Sequence, residues 1–561
     1  MTDTVRAKLP GYMAMLIVAM VVAIYARGLN GPYIFDDKTA IEFSPNLRTL
    51  WPLSQALSGP DESAAAGRPV LCLTLAINHA LHGLDVRGFH LVNMALHAAT
   101  ALLLLATGRR ALRRAGAGEH ADMIAAAAAL VWAVHPLHTE TVQYVVQRSE
   151  LLMAFFMLLT LYAFERGVDG SRRWHLLAIA ACLLGMGSKE SMAVVPLLVL
   201  LYDRTLVAGT LREAWSRRRW LYVGLALTWL PLAWLVMQGP RDQSVGSREG
   251  ITVLSYLLTQ AGVLVHYLKL AAWPLQLTIV YDWPIAERVR DWLVPGLVIA
   301  SLLTLTAVGV WRNCWWGLVG AWCFLVLAPT SSVLPMTYEV AAERRMYVPL
   351  MALVLAGAAG VAWLMDRRPR WTIAAGVVVA VAWTGLSWHR VGDYRSELAI
   401  WSDAAAKQPG SHLAQHNLGL AYQKTGQLQQ AVARYELALA RKPTYRPSWV
   451  NLANCQLLML RFDDAQATYR RLLAIDPDYP PAHNNLGLLL AQSGRKPEAM
   501  THFARAVAVE PRYVDARVNL AALLVEAGRV DEARAHLDAA LQLSPDHPVA
   551  RQVEASFADA Q

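Results

Sequence analysis

Up to about residue 390 the apolar residues come in long uninterrupted runs, the first being "YMAMLIVAMVVAIYA" (12–26), and beyond it they scatter among charges and amides. Such runs predict helices immersed in lipid, because a segment in hydrocarbon must satisfy every backbone N–H and C=O within itself. Stretches long enough to span lie near residues 11–27, 88–108, 121–137, 146–164, 174–188, 191–207, 220–237, 292–311, 315–334, 346–364 and 371–388, eleven in all. The stretch 252–280 is also apolar but carries His266, Lys269, Pro274 and Asp282, and it is expected to re-enter or lie at the interface. The pattern predicts an all-α protein: a polytopic helical bundle over 1–390, then a second domain over 393–548 and a tail at 549–561.

The second domain repeats itself every 34 residues. Prolines recur at Pro409, Pro443, Pro477, Pro511 and Pro545, alanines at Ala431, Ala465, Ala499 and Ala533, and asparagines at Asn417, Asn451, Asn485 and Asn519. This period marks tetratricopeptide repeats, helix-turn-helix units that stack into a superhelix. Four repeats run from about 412 to 545, and "SELAIWSDAAAKQP" (396–409) matches the second helix of a half-repeat, with Trp401 in the place that Tyr435, Tyr469 and Phe503 fill later. The aromatic stripe is core. The repeated asparagines either form an amide ladder that grips an extended acceptor peptide or satisfy local hydrogen bonds.

Composition and charge then orient the bundle. At 55% hydrophobic and 17% charged, the chain is too apolar for an ordinary soluble protein. The net charge of +9 does not point to nucleic acid, because the arginines cluster beside apolar runs, as in "RRALRR" (109–114), "RRR" (217–219) and "DRRPR" (366–370). That is the positive-inside pattern of cytoplasmic loops. With eleven crossings and the N-terminus in the cytoplasm, the repeats lie outside. The first span is read as an uncleaved helix rather than a signal peptide. The five cysteines show no paired or metal-like spacing.

The same parity places five polar segments on the outer face: the first loop (28–87) with Asp36 and Asp37, "HPLHTE" (135–140), "QRSE" (147–150), "SKES" (188–191) and "EVAAERRMY" (339–347). Charges at membrane depth cost roughly 2.5–3.5 kcal/mol on insertion scales, so their gathering on one side calls for a shared site. Singly, each reads as a cap or a snorkelling side chain, and an Asp before "KTAIEF" could simply cap a short helix. Together, a carboxylate able to take a hydroxyl proton and the basic residues Arg68, Arg148, Lys189, Arg344 and Arg345 match what sugar transfer from a lipid phosphate requires.

Five motifs occur in order: "GPYIFDDKTAI", "GRPVLCLTLAINHALHGLDVRGFHLVNMALHA", "HPLHTETVQYVVQRSELLMA", "SKESMAVVPLLVLLYD" and "EVAAERRMYVPLM". Followed by tetratricopeptide repeats, they resemble the transmembrane and tetratricopeptide-repeat-containing protein O-mannosyltransferases, multispanning enzymes of the GT-C type. The resemblance covers nearly the whole chain, except that the repeat array is short. It implies inverting transfer of a hexose, typically mannose, from a polyprenyl phosphate carrier to Ser or Thr hydroxyls of a protein acceptor. On the matching positions Asp36 is the first choice for general base, with Asp37 orienting the acceptor or sharing the role. Arg344 and Arg345 would hold the lipid phosphate, with Lys189, Glu190 and Arg148 as secondary candidates. His135, His138, Glu140 and Arg68 would line the pocket, although "HPLH" reads equally as a structural turn. No metal is required, since Arg and Lys can neutralise a monophosphate, but the paired aspartates could also hold Mg or Mn. Alanine-rich runs such as "AAAAAL" point to a bacterial inner membrane with the repeats in the periplasm. Two other readings stand beside this one: a non-enzymatic membrane scaffold displaying the repeats, and a lipid-linked sugar transporter, which would place its charges at mid-span.

Overall fold

The computed structural model describes residues 3–60, 63–238, 251–331, 336, 339–365 and 369–559, the side chains at 3–10, 365–375 and 556–559 excepted. The chain divides into two compact units, Met1–Asp403 and Ala404–Gln561. The dividing point falls inside the helix Glu397–Lys407 of the half-repeat.

The first unit is a bundle of helices around Val86–Arg114, which packs against Asp3–Tyr25, Ala121–Ala133 and Arg148–Asp169. Gly83 (φ 58°) ends the preceding helix Pro69–His82 in a conformation that suits a residue without Cβ. Asp85 then opens the long helix by accepting from the Arg87 N–H at 3.0 Å. Seven helices among the described residues are long and apolar enough to cross a membrane, and four shorter apolar helices, Pro69–His82, Arg173–Met186, Trp315–Leu327 and Pro349–Leu364, accompany them. The outer surface is apolar: on Val289–Trp311, Val294, Leu297 and Leu305 are each more than half exposed. This is the inverse of a soluble helix and is what a lipid solvent selects.

The segment expected to re-enter or lie at the interface is helical over most of its length. Val253–Ala272 is one 20-residue helix, itself long and apolar enough to span. His266 and Lys269 sit near its end, and Pro274 and Asp282 lie beyond it, so the polar residues terminate the helix rather than interrupt it. Tyr256 and Gln260 donate to the carbonyls of Thr330 and Val340, the Tyr267 hydroxyl accepts from the Ala342 N–H, and the Ala271 carbonyl accepts from His135.

The second unit holds four antiparallel pairs, from His412–Lys424 with Leu428–Arg441 through to Val514–Glu526 with Val530–Leu543. Ala431, Ala465, Ala499 and Ala533 are fully buried where the paired helices meet. The turn within each pair needs a left-handed residue, supplied by Gly426, Gly494 and Gly528 and, in the second repeat, by Leu460 at φ 60°. Residues 549–561, a tail in the sequence expectation, are for the most part ordered into the array. Pro548–Asp559 is a helix that buries Ala550 against the last repeat, because an open solenoid end would leave apolar surface uncovered.

Candidate active site

The two aspartates of the first loop have opposite environments. Asp37 is fully buried, and its carboxylate accepts from the backbone N–H groups of Ile34 (3.2 Å), Val145 (3.3 Å) and Val146 (2.7 Å). It does not cap its own short helix Lys38–Glu42; it ties the loop to the connector 144–147. Burial pushes the Asp37 carboxyl up to about 8, against the pull of these three donors. Asp36, one residue earlier, is exposed, and its backbone N–H donates to the Tyr144 hydroxyl at 3.1 Å. Just before the pair sits the strained Phe35 (φ 44°), whose ring packs on Tyr144 and Trp401. A second tie, Lys38 to Glu397 at 2.6 Å, holds the loop to the start of the half-repeat helix.

Tyr144 is a meeting point. Burial first, then the charges of Asp36 and Asp37, raise its hydroxyl pKa well above the ordinary value, with Arg344 opposing. Glu140, on the same connector, accepts from the Arg344 guanidinium at 2.6 Å and from the Arg344 N–H at 3.2 Å. The other side of Arg344 pairs with Glu339. Burial pushes the Glu339 carboxyl up, but Arg344, Arg345 and Lys189 outweigh it and hold the group below its usual value. Lys189 pairs with the buried Glu150, and Arg68 holds Glu190 through two contacts at 2.9 and 3.4 Å. Hydrogen bonds and ion pairs link Asp36, Tyr144, Glu140, Arg344 and Glu339 in one line and Lys189 with Glu150 in a second, and the Lys189 charge acts on Glu339 between them, so the five polar segments come together. The Glu339 side chain on the first line and the neighbouring Glu190 keep 43% and 35% exposure, so this group of charges is not wholly enclosed.

Other candidate residues have structural surroundings. Arg148 is fully buried and donates to Asn93 and Asn78 (2.8 Å each) and to the carbonyls of Phe89 and Thr74, bracing three helices with a guanidinium wholly enclosed by protein. Arg345 is spent on the carbonyls of Glu339 and Val340. His135 receives the Leu137 N–H and reaches Ala271, which makes "HPLH" a structural turn. His138 is fully buried among Trp132, Tyr347 and His97. In the repeats, Asn485 donates to Tyr469 of the preceding repeat at 3.2 Å, and Asn451 likewise bonds Tyr435. Where that aromatic is Phe503, with no hydroxyl, Asn519 turns to Asn484; Asn417 bonds Leu413 of its own helix. Each of these amides thus makes at least one hydrogen bond within the repeat array.

Sequence reasoning passes over Tyr144, Glu150 and Glu339 as individual residues, although all three lie inside motifs it singles out. Glu343 is a further case: buried, it accepts from the Thr278 N–H (2.5 Å) and Tyr281 (2.9 Å), and burial, countered by Arg390, raises its carboxyl to about 7. Among the described residues no three His, Cys, Asp or Glu side chains are gathered in a metal-binding group.

A helical bundle with an apolar outer surface and a cluster of carboxylates and cations, followed by tetratricopeptide repeats, defines a multispanning membrane protein with a helical-repeat domain. Residues 65–236 match the family described as dolichyl-phosphate-mannose-protein mannosyltransferase, and 422–489 and 490–557 match the tetratricopeptide repeat. The chain is 26% identical over 486 residues to the human protein O-mannosyl-transferase TMTC4, an alignment covering 73% of this chain and 64% of that one. It is 26% identical over 440 residues to mouse protein O-mannosyl-transferase TMTC3, covering 69% and 46% respectively. Among solved structures, a thermophilic tetratricopeptide protein of Thermus thermophilus aligns with 31% of this chain and 94% of its own at 25% identity and a TM-score of 0.25. In its membrane part and in its repeats the chain thus resembles the transmembrane and tetratricopeptide-repeat-containing O-mannosyltransferases. It spans somewhat less than two thirds of the length of the curated relatives it matches.

Proposed function

We propose that this protein is an inverting GT-C glycosyltransferase that moves mannose, or a related hexose, from a polyprenyl phosphate to Ser or Thr hydroxyls of proteins, with its repeats engaging the acceptor. The single observation that carries the reading is the contrast between the aspartates: the Asp37 carboxylate is buried and bonded to three backbone N–H groups, whereas Asp36 is exposed and bonds Tyr144 through its backbone, on the line of residues that leads to Arg344. In this reading Asp36 takes the acceptor hydroxyl proton as the oxygen attacks the anomeric carbon, and the bond from that carbon to the phosphate oxygen breaks. Arg344 and Lys189 receive the departing phosphate. Glu339, held in the apo protein by Arg344 and influenced by Lys189, occupies the anion position that the phosphate would take over. No divalent cation is needed where two cations already face the leaving group. The lipid tail enters the apolar groove of about 270 Å³ that runs past Leu268, Ile299 and Phe324 to Met346, one residue from Arg345.

The site faces the side opposite the arginine clusters, which is the outer side of a bacterial inner membrane with the N-terminus in the cytoplasm. The deciding experiment measures hexose transfer from a polyprenyl phosphate hexose to cell-envelope proteins by membranes carrying the native chain, Asp36→Asn or Arg344→Gln. Loss of transfer in both variants is expected. Full transfer by Asp36→Asn would reject the base assignment, and unaltered envelope glycoproteins in a strain without this chain would leave the scaffold reading in its place.

A further inference from the structure

We infer that the opposite end of the bundle binds an anionic phospholipid, with the phosphate on the arginines of the Val86–Arg114 helix and an acyl chain in the groove beside them. The groove has a volume of about 580 Å³ and an apolar lining. It exists because small residues floor it, among them Gly108, Ala111, Ala356 and Gly360, while larger side chains such as Leu158 and Leu161 form its walls. In a membrane an apolar groove open at the bundle surface fills with hydrocarbon. The question the structure answers is which headgroup accompanies that chain.

A second recess, also about 580 Å³, adjoins the groove and is lined by Arg109, Arg110, Arg113, Arg114 and Arg166. The two share Glu165, which is fully buried and held by Tyr202 and by Arg114 at 3.1 Å. Asp122 pairs with Arg109 and Arg113, and Asp169 with Arg110 and Arg114. Five arginines thus face three carboxylates, Asp122, Glu165 and Asp169, and two positive charges remain in excess. Arg109, Arg110, Arg113 and Arg114 end the helix whose beginning, at Arg87, bonds Asn30 of the first loop, so the recess and the Asp36 loop lie at opposite ends of one 29-residue helix. That separation of about 40 Å along the helix distinguishes the recess from the donor site proposed above. Positive charge in excess beside an apolar groove fits an anionic lipid, whereas a zwitterionic headgroup brings no net charge to it.

The test uses the full chain purified in detergent, with retained lipid quantified by mass spectrometry and the unfolding midpoint read with added phosphatidylglycerol or phosphatidylcholine. Phosphatidylglycerol should be retained and should raise the midpoint, while phosphatidylcholine should do neither. Replacing the partly exposed Arg113 and Arg166 together (Arg113→Gln, Arg166→Gln) should weaken phosphatidylglycerol roughly fivefold per arginine. Ala356→Phe, which fills the groove, should abolish retention. Should that variant not fold, Gly360→Leu closes the groove from a position where an added Cβ meets no atom within 4 Å. Equal retention of the two lipids, or retention unchanged in the arginine and groove variants, would overturn the inference. So would a preference for undecaprenyl phosphate that the groove variant alone removes, since the groove would then hold the donor's tail. None of these readouts depends on sugar transfer, so the inference stands or falls separately from the proposed activity.

Discussion

The two units solve the problem of buried polar groups at opposite ranges. In the repeat unit the side-chain hydrogen bonds stay close in sequence: Tyr469 to Asn454 spans 15 residues, Tyr435 to Gln423 spans 12, and Asn519 to Asn484 spans 35. In the membrane unit Glu140 meets Arg344 across 204 residues, His97 meets Tyr347 across 250, and Lys38 meets Glu397 across 359. A repeat array is a nearest-neighbour structure in which each unit satisfies itself against the next. A bundle in lipid has no such freedom, because a charge that enters hydrocarbon must find a partner on another helix wherever the chain happens to supply one. The consequence is that polar residues in the repeats read as local architecture, while those in the bundle read as a converged site.

The contrast is sharpest within the first loop. Asp36→Asn should leave the fold intact and lower transfer by at least ~10²-fold, about 3 kcal/mol in the barrier, since general base catalysis contributes on that scale. Turnover and unfolding midpoint measured on one preparation would separate the two effects, and a fall in the midpoint matching the fall in turnover would refute the assignment. Arg148→Ala is expected to do the reverse. It removes four hydrogen bonds from a fully buried guanidinium to neutral partners, and a loss of roughly 3 kcal/mol or more should appear as aggregation or a low midpoint before any kinetic effect. Asp37→Ala strands three backbone N–H groups and should likewise cost roughly 1–3 kcal/mol, with activity falling in step with the folded fraction.

In the repeats the effects should be small and local. Tyr469→Phe removes the hydroxyl shared by Asn454 and Asn485 and is expected to destabilise the unit by about 1 kcal/mol in chemical denaturation. Leu460→Gly goes the other way: Leu460 occupies a left-handed position where three sister repeats carry glycine, and relieving it should stabilise the unit by about 1 kcal/mol. An unchanged or lowered midpoint would mean that the exposed Leu460 side chain packs more productively than its backbone conformation costs. Last, treatment with EDTA should leave transfer unaltered, and restoration of lost activity by Mg or Mn would move the paired aspartates into a metal-binding role.

Much of this is legible in the residues. The 34-residue period locates four helix pairs and their buried alanines, because a repeat whose contacts are nearest-neighbour writes its packing into its spacing. The long apolar runs locate the membrane helices for the same reason of local sufficiency. In the segment 252–280 the polar residues look like interruptions in sequence but stand near and beyond the end of a single helix, which only the structure delimits. The site is legible as a set of motifs but not as a set of roles. Asp36 and Asp37 are identical in kind and adjacent in order, and only the 108 and 109 residues that separate Asp37 from its partners Val145 and Val146 distinguish them. The same holds for the arginines: nothing near Arg148 or Arg344 in sequence tells which is enclosed by neutral carbonyls and amides and which is set between carboxylates.

The sequence by itself determined the class of each unit, the extent of the repeats and the gathering of polar motifs at one end of the bundle, since all of these follow from periodicity and hydropathy over a few tens of residues. The tertiary structure alone decided which carboxylate is left exposed, which cations are already spent on structure and that the tail is a helix. Those outcomes depend on burial and on partners hundreds of positions away, and a side chain's chemistry is set by the atoms around it rather than by its neighbours along the chain.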